Sequence, residues 1–139
     1  MEEETLEQQN KRVAEYHRHC QKWSSLLFFT KDELIFIRKL LNSYVFEPTT
    51  PNLFERLQDY LARLDLVKTQ LDELDGFIHS HEYELGGILE CATLPSDIEI
   101  SEKHMELTVK IEELQGKFRM LKSEIFNYAG GILKKRKEP

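Results

Sequence analysis

Residues 26–41 read LLFFTKDELIFIRKLL. Leu27, Leu34 and Leu41 recur every seven residues in this stretch, and Ile37 lies three residues after the second of them. Steps of three and four residues return to one face of an α-helix, and their continuation over several heptads is typical of helices that pack as in coiled coils. The stretch therefore predicts part of a long helix that packs along one face.

The same spacing extends outward through three segments of the chain, which breaks at residues 47–51 and 92–96 separate. Each break contains proline, which removes a backbone donor and restricts the residue before it, and Thr50 and Ser96 are typical helix-capping residues. We call the row of residues predicted to form the packed face of each helix its seam. The predicted seam positions are, in the first segment, Val13, Tyr16, Cys20, Trp23, Leu27, Thr30, Leu34, Ile37, Leu41 and Tyr44; in the second, Leu53, Leu57, Tyr60, Leu64, Val67, Leu71, Leu74, Ile78, His81, Leu85 and Ile88; and in the third, Leu107, Ile111, Leu114, Phe118, Leu121, Ile125, Tyr128 and Ile132. We expect an all-α fold, namely an up-down bundle of three long antiparallel helices with coiled-coil-like heptad seams. One helical-bundle domain would cover residues 1–139.

Thr30 allows an alternative fold. Thr30 to Glu33 has the spacing of a capping box, so a new helix could begin there and give four helices. We favour one continuous helix, because the heptad phase passes through Thr30 without a slip and neither glycine nor proline interrupts residues 26–41.

The first helix carries more apolar surface than a single seam requires. A helix with this much apolar surface must be covered on most of its circumference. We weigh three coverings: an intramolecular four-helix core after a kink at Thr30, self-association, and docking of a partner's amphipathic helix. The predicted contact residues are Leu26, Phe28, Phe29, Ile35, Phe36 and Leu40.

Composition excludes several classes of function. A formal net charge of -6, with basic and acidic residues interspersed, argues against a nucleic-acid binder. The acidic N-terminus has no apolar stretch of a secretory signal, and no segment has the roughly 18 uncharged residues of a membrane span. Two cysteines, Cys20 and Cys91, make no disulfide framework. We therefore expect a cytoplasmic protein.

The search for reactive groups finds no catalytic signature. Gly-rich phosphate loops, His-Glu-x-x-His, Gly-x-Ser-x-Gly and paired Cys-x-x-Cys are all missing from the sequence. Antiparallel pairing across the first break joins positions whose numbers sum to roughly 98, which brings several possible ligands of a transition metal to one level of the bundle. That alternative site consists of His17, Cys20, His79, His81 and Glu82.

The leading hypothesis from the sequence is a non-enzymatic interaction or scaffold module without a cofactor. It would act by self-association as a homodimer, or by binding a partner helix at the apolar face of the first helix. The alternative is a small metal- or ligand-binding bundle that uses the histidine and cysteine cluster.

Overall fold

The computed structural model describes the backbone of residues 6–43, 53–90 and 97–137, and side chains at positions 7–43, 55–88 and 99–130. Three α-helices make up these ranges: α1 Leu6–Ser43, α2 Leu53–Glu90 and α3 Asp97–Lys137. The helices pack against one another, and no strand occurs within the described ranges. The prediction of an all-α fold is confirmed.

Helix α1 runs through Thr30 without interruption. A capping threonine would have to leave helical backbone geometry, whereas Thr30 stays within a helix of 38 residues. The four-helix alternative is therefore wrong for the part of the chain that the structure describes. The predicted caps at Thr50 and Ser96 lie outside the described residues.

The chain divides into two compact units, and each unit takes a piece of every helix. Unit 1 comprises Met1–Phe28 and Asp72–Glu112, and unit 2 comprises Phe29–Leu71 and Glu113–Pro139. Because the pieces come from distant parts of the sequence, each unit is held together by tertiary packing between helices rather than by local structure.

The core of unit 1 is mainly aliphatic but includes two buried histidines. Buried side chains recur at steps of three, four or seven residues along each helix piece, as expected for one packed face. The buried residues are Gln9, Val13, Cys20, Leu27, Leu74, Ile78, His81, Leu85, Ile88, Ile100, His104, Leu107 and Ile111. Each buried histidine needs a hydrogen-bond partner, since burying an unpaired polar group costs free energy.

The core of unit 2 is entirely apolar among the side chains that the structure describes. Its buried residues are Leu34, Ile37, Leu41, Leu57, Leu64, Val67, Leu71, Leu114, Phe118, Leu121, Ile125 and Ala129. Hydrophobic burial of this kind supplies most of the stabilisation of such a unit.

No helix in the described part of the chain is both long and apolar enough to cross a lipid bilayer.

Candidate functional site

Three large apolar residues of α1 in unit 2 face solvent. Phe29, Ile35 and Phe36 are 62%, 50% and 60% exposed, whereas their neighbours Leu34 and Ile37 are buried. At 100° per residue, Phe29 and Phe36 lie almost on one line along the helix, on the side away from the buried face. We call these three residues the apolar stripe.

The other predicted contact residues are placed differently. Leu40, also in unit 2, is half-buried. In unit 1, Leu26 is half-buried and Phe28 is 69% exposed. No core formed by the described residues covers Phe28 or the apolar stripe, which removes the first of the three coverings predicted from the sequence.

Ion pairs to the two neighbouring helices flank the apolar stripe in unit 2. Lys122 Nζ of α3 donates to Glu33 Oε2 at 2.9 Å, and Arg38 of α1 pairs with Asp65 of α2. These partly exposed pairs contribute little stability, since such pairs are typically worth about 0–1 kcal/mol. They hold the side chains of Glu33 and Arg38 toward α3 and α2. These two side chains therefore do not cover the apolar residues on the outer face of α1.

Exposed apolar residues on α2 and α3 are spread over both units. The large exposed residues of these helices are Leu66, Phe77, Tyr83, Met105, Val109, Met120 and Phe126. Single exposed apolar residues are ordinary on protein surfaces, and only a contiguous group indicates a binding surface. Within residues 29–36, by contrast, three of eight residues are large, apolar and at least half exposed.

A chain of three histidines lies inside unit 1. His19 Nδ1 is 2.9 Å from His104 Nε2, and His104 Nδ1 is 3.0 Å from His81 Nε2. Tyr16 stacks on the His104 ring with centroids 3.8 Å apart, and Trp23 covers it at 4.7 Å. We call His19, His104 and His81 the histidine chain.

The hydrogen-bond order of the histidine chain follows from its two ends. His81 Nδ1 is buried and has no partner in the part of the chain that the structure describes. If His19 donated to His104 and His104 donated to His81, His81 Nδ1 would carry a buried N–H without an acceptor. An unpaired buried N–H is rarer and costs more free energy than an unpaired buried acceptor. With His81 Nε2–H donating to His104, and His104 Nε2–H donating to His19, only a lone pair is left unpaired. Glu15 Oε1, 3.9 Å from His19 Nε2, favours this order because it attracts a proton there.

Burial keeps the inner rings of the histidine chain neutral. Burial, together with the neighbouring His81 and His19, lowers the pKa of His104 to about 4, because desolvation disfavours the charged ring and adjacent cationic rings would repel. Burial also lowers the pKa of His81, although Glu84 acts in the opposite direction. A neutral, buried and fully engaged ring is suited to packing, since its nitrogens are occupied by the adjacent rings.

The five residues of the predicted metal site are only partly brought together. His17 Nε2 lies 3.3 Å from Glu82 Oε1, so two of the five residues are close together. Cys20 is buried near the Glu82 charge. His79 is exposed and bonds the Asp75 carbonyl at 2.7 Å, and His81 belongs to the histidine chain. Among the described residues, no three histidine, cysteine or acidic side chains are arranged to hold a metal ion.

No family model, curated protein or solved structure matches the chain. Functional inference therefore depends on the apolar stripe, the histidine chain and their surroundings.

Cys20 should be unreactive in the folded protein. Burial raises the pKa of its thiol to about 11, with a further contribution from the Glu82 charge, and only the thiolate reacts with alkylating reagents. In a Cys91→Ser variant, we expect iodoacetamide to modify native Cys20 at least about a hundredfold more slowly than the urea-unfolded chain, given an unperturbed thiol pKa near 8.5. Mass spectrometry over time measures both rates. Equal rates would contradict a buried, protonated thiol.

Sequence reasoning missed His19 and His104 as members of one cluster with His81. His104 lies four residues after Ile100 and three before Leu107, so the seam of α3 could have been extended backward to include it. A polar residue at that position, like His81 on α2, was the available signal for a buried polar contact.

Proposed function

We propose that this protein is a non-enzymatic interaction or scaffold module that acts through the outer face of α1. It associates with a second copy of itself or binds an amphipathic helix of another protein. The observation that carries the proposal is the exposure of Phe29, Ile35 and Phe36 at 62%, 50% and 60%. Aromatic and aliphatic side chains on a regular helix face are typical anchors of helix-to-helix recognition.

The chemistry of the buried groups supports a non-enzymatic role. Cys20 holds its proton because burial raises the thiol pKa, so it is a poor nucleophile. Burial lowers the pKa of His104 to about 4, and both nitrogens of its ring are engaged by other histidines. A general base requires a free nitrogen within reach of a substrate, which His104 lacks. A cytoplasmic location remains part of the proposal and rests on the sequence.

The proposal includes an up-down arrangement with coiled-coil-like packing, which suits a rigid scaffold. In unit 1, His81 of α2 bonds His104 of α3, while Glu84, three residues later, bonds Lys103, one residue earlier. This opposite order supports antiparallel α2 and α3. Buried residues separated by three and four positions support seam-like packing.

Charges placed on the apolar stripe should abolish binding. We expect Phe29→Glu/Phe36→Glu to weaken association with a second copy, or with an amphipathic helical peptide, by at least about a hundredfold, because desolvating a carboxylate in an apolar contact costs several kcal/mol. Sedimentation velocity over a wide concentration range measures self-association. Fluorescence anisotropy measures binding of peptides selected from an amphipathic-helix library.

The matched control is Leu66→Glu/Met120→Glu, which adds the same two charges at exposed apolar positions of unit 2 on α2 and α3. This control should bind as the unmodified protein does, and circular dichroism should show equal helix content in both double variants. The proposed function fails if the unmodified protein neither self-associates nor binds any selected peptide. It also fails if the Phe29→Glu/Phe36→Glu variant binds as well as the control.

A further inference from the structure

The outer face of α1 carries one exposed acid and one exposed base on either side of the centre of the apolar stripe. Asp32 lies three residues before Ile35, and Lys39 lies three residues after Phe36. Both charged side chains are exposed. A separation of seven residues is almost two helical turns, so the two charges lie on one side of α1, in line with the face between Ile35 and Phe36.

Neither charge is neutralised within the described part of the chain. The adjacent residues Glu33 and Arg38 are paired with α3 and α2, whereas Asp32 and Lys39 make no ion pair with another described residue. The outer face therefore presents a fixed pattern, with a negative charge, two apolar side chains and a positive charge in chain order. Charge patterns of this kind determine which partner and which orientation a helix accepts.

Twofold symmetry restricts the orientation in which a second copy can bind to this pattern of charges. In a symmetric dimer the same patch serves on both sides, so each contact occurs twice. Parallel α1 helices would place Asp32 against Asp32 and Lys39 against Lys39, which is repulsive. In antiparallel helices related by an axis between Ile35 and Phe36, the numbers of two facing residues add up to 71. Asp32 of each copy therefore lies opposite Lys39 of the other copy, so the contact occurs twice. The same axis places Ile35 against Phe36.

We infer that the occupant of this face is a second copy of the chain, docked through α1 in antiparallel orientation about the Ile35–Phe36 position. The inference rests on the proposed function and names the partner that the proposed function leaves open. The apolar stripe offers only roughly 300 Å² per copy, given about 200 Å² for a large side chain, which is well below the ~800 Å² per partner of a stable dimer. The dimer is therefore weak and reversible, and its charge pairs are significant for its affinity.

Charge reversal tests the orientation. Asp32→Lys and Lys39→Asp each turn two attractive contacts into two repulsive ones, so each should raise the dimer dissociation constant about tenfold at low salt. The variant carrying both reversals restores opposite charges and should return the constant to within about threefold of the unmodified value. Added salt should reduce these differences because the charges are exposed. Sedimentation equilibrium of the full chain provides the constants.

Glu113→Lys is the matched control for Asp32→Lys, since it also replaces a negative charge with a positive one, but at an exposed residue of α3 in unit 2. It should leave the dissociation constant unchanged. Two results would overturn antiparallel pairing: a dimer that neither single reversal weakens, and a dimer weakened by both that the combined variant fails to restore. A chain that stays monomeric but binds helical peptides through Phe29 and Phe36 overturns self-pairing and leaves the proposed function intact. Loss of both activities in the unmodified protein removes the proposed function itself.

Discussion

Replacing Leu64 with alanine is expected to lower the free energy of unfolding by about 2–5 kcal/mol, the range found for buried leucines truncated in well-packed cores. Leu64 is 0% exposed, and it lies in the apolar core of unit 2 with Val67 and Leu71 on the same helix face. Truncation removes apolar area from the core and leaves a cavity that packed helices close only in part. The loss is a large share of the 5–15 kcal/mol that holds a typical domain together.

Leu66 provides the control for this experiment, because it is two residues away on α2 and 54% exposed. Leu66→Ala should change the free energy of unfolding by less than about 1 kcal/mol, since alanine also favours helix formation. Urea titration followed by circular dichroism gives both values. If the two substitutions cost the same, the assignment of Leu64 to the core and Leu66 to the surface is wrong.

Acidification is expected to have an effect of similar size through the histidine chain. The pKa of His104 is about 4 in the folded protein, against about 6.5 for an unfolded histidine. Between these values the unfolded chain binds a proton that folded His104 does not, so stability falls as the pH falls from about 6.5 to about 4. At pH 5 the loss from this residue is on the order of 2 kcal/mol relative to pH 7.5, at 1.36 kcal/mol per pKa unit. The lowered pKa of His81 also makes the folded protein less stable as the pH falls.

The measurement is the difference in free energy of unfolding between pH 7.5 and pH 5, obtained for each variant from urea titrations. His104→Phe keeps an aromatic ring between Tyr16 and Trp23 and should reduce the pH dependence by about 2 kcal/mol, the contribution of His104, whatever its effect on stability at neutral pH. His79→Phe makes the same substitution at an exposed histidine outside the histidine chain and should keep the contribution of His104. An unchanged dependence in His104→Phe would contradict a neutral, buried His104.

The fold could be predicted because the spacing of apolar residues carries most of the information about which helix face is buried. Leu34 and Ile37 lie on the predicted seam and are buried, while Phe29 and Phe36 lie off it and are exposed. The sequence around Thr30 was ambiguous, because a capping box reflects only a local preference for a helix start. The packing of α1 against the other helices outweighs that preference, and α1 continues through Thr30.

The histidine chain could not be predicted to the same extent. Periodicity places His81 on the inner face of α2, but it does not determine which residue of α3 lies opposite. That choice depends on how far one helix slides along the other, and the break at residues 92–96 leaves the offset open. In the structure, His104 is the residue of α3 that bonds His81, and Tyr16 of α1 stacks on His104.

Two hydrogen bonds join the three rings of the histidine chain, and a neutral imidazole has only one proton to donate. The tautomers of the rings are consequently not independent: if one ring changes its tautomer, the next must change as well or lose its bond. His19 reaches the surface and His81 does not. The proton position on the exposed ring and that on the buried ring are therefore linked, and neither can change alone without the loss of a hydrogen bond.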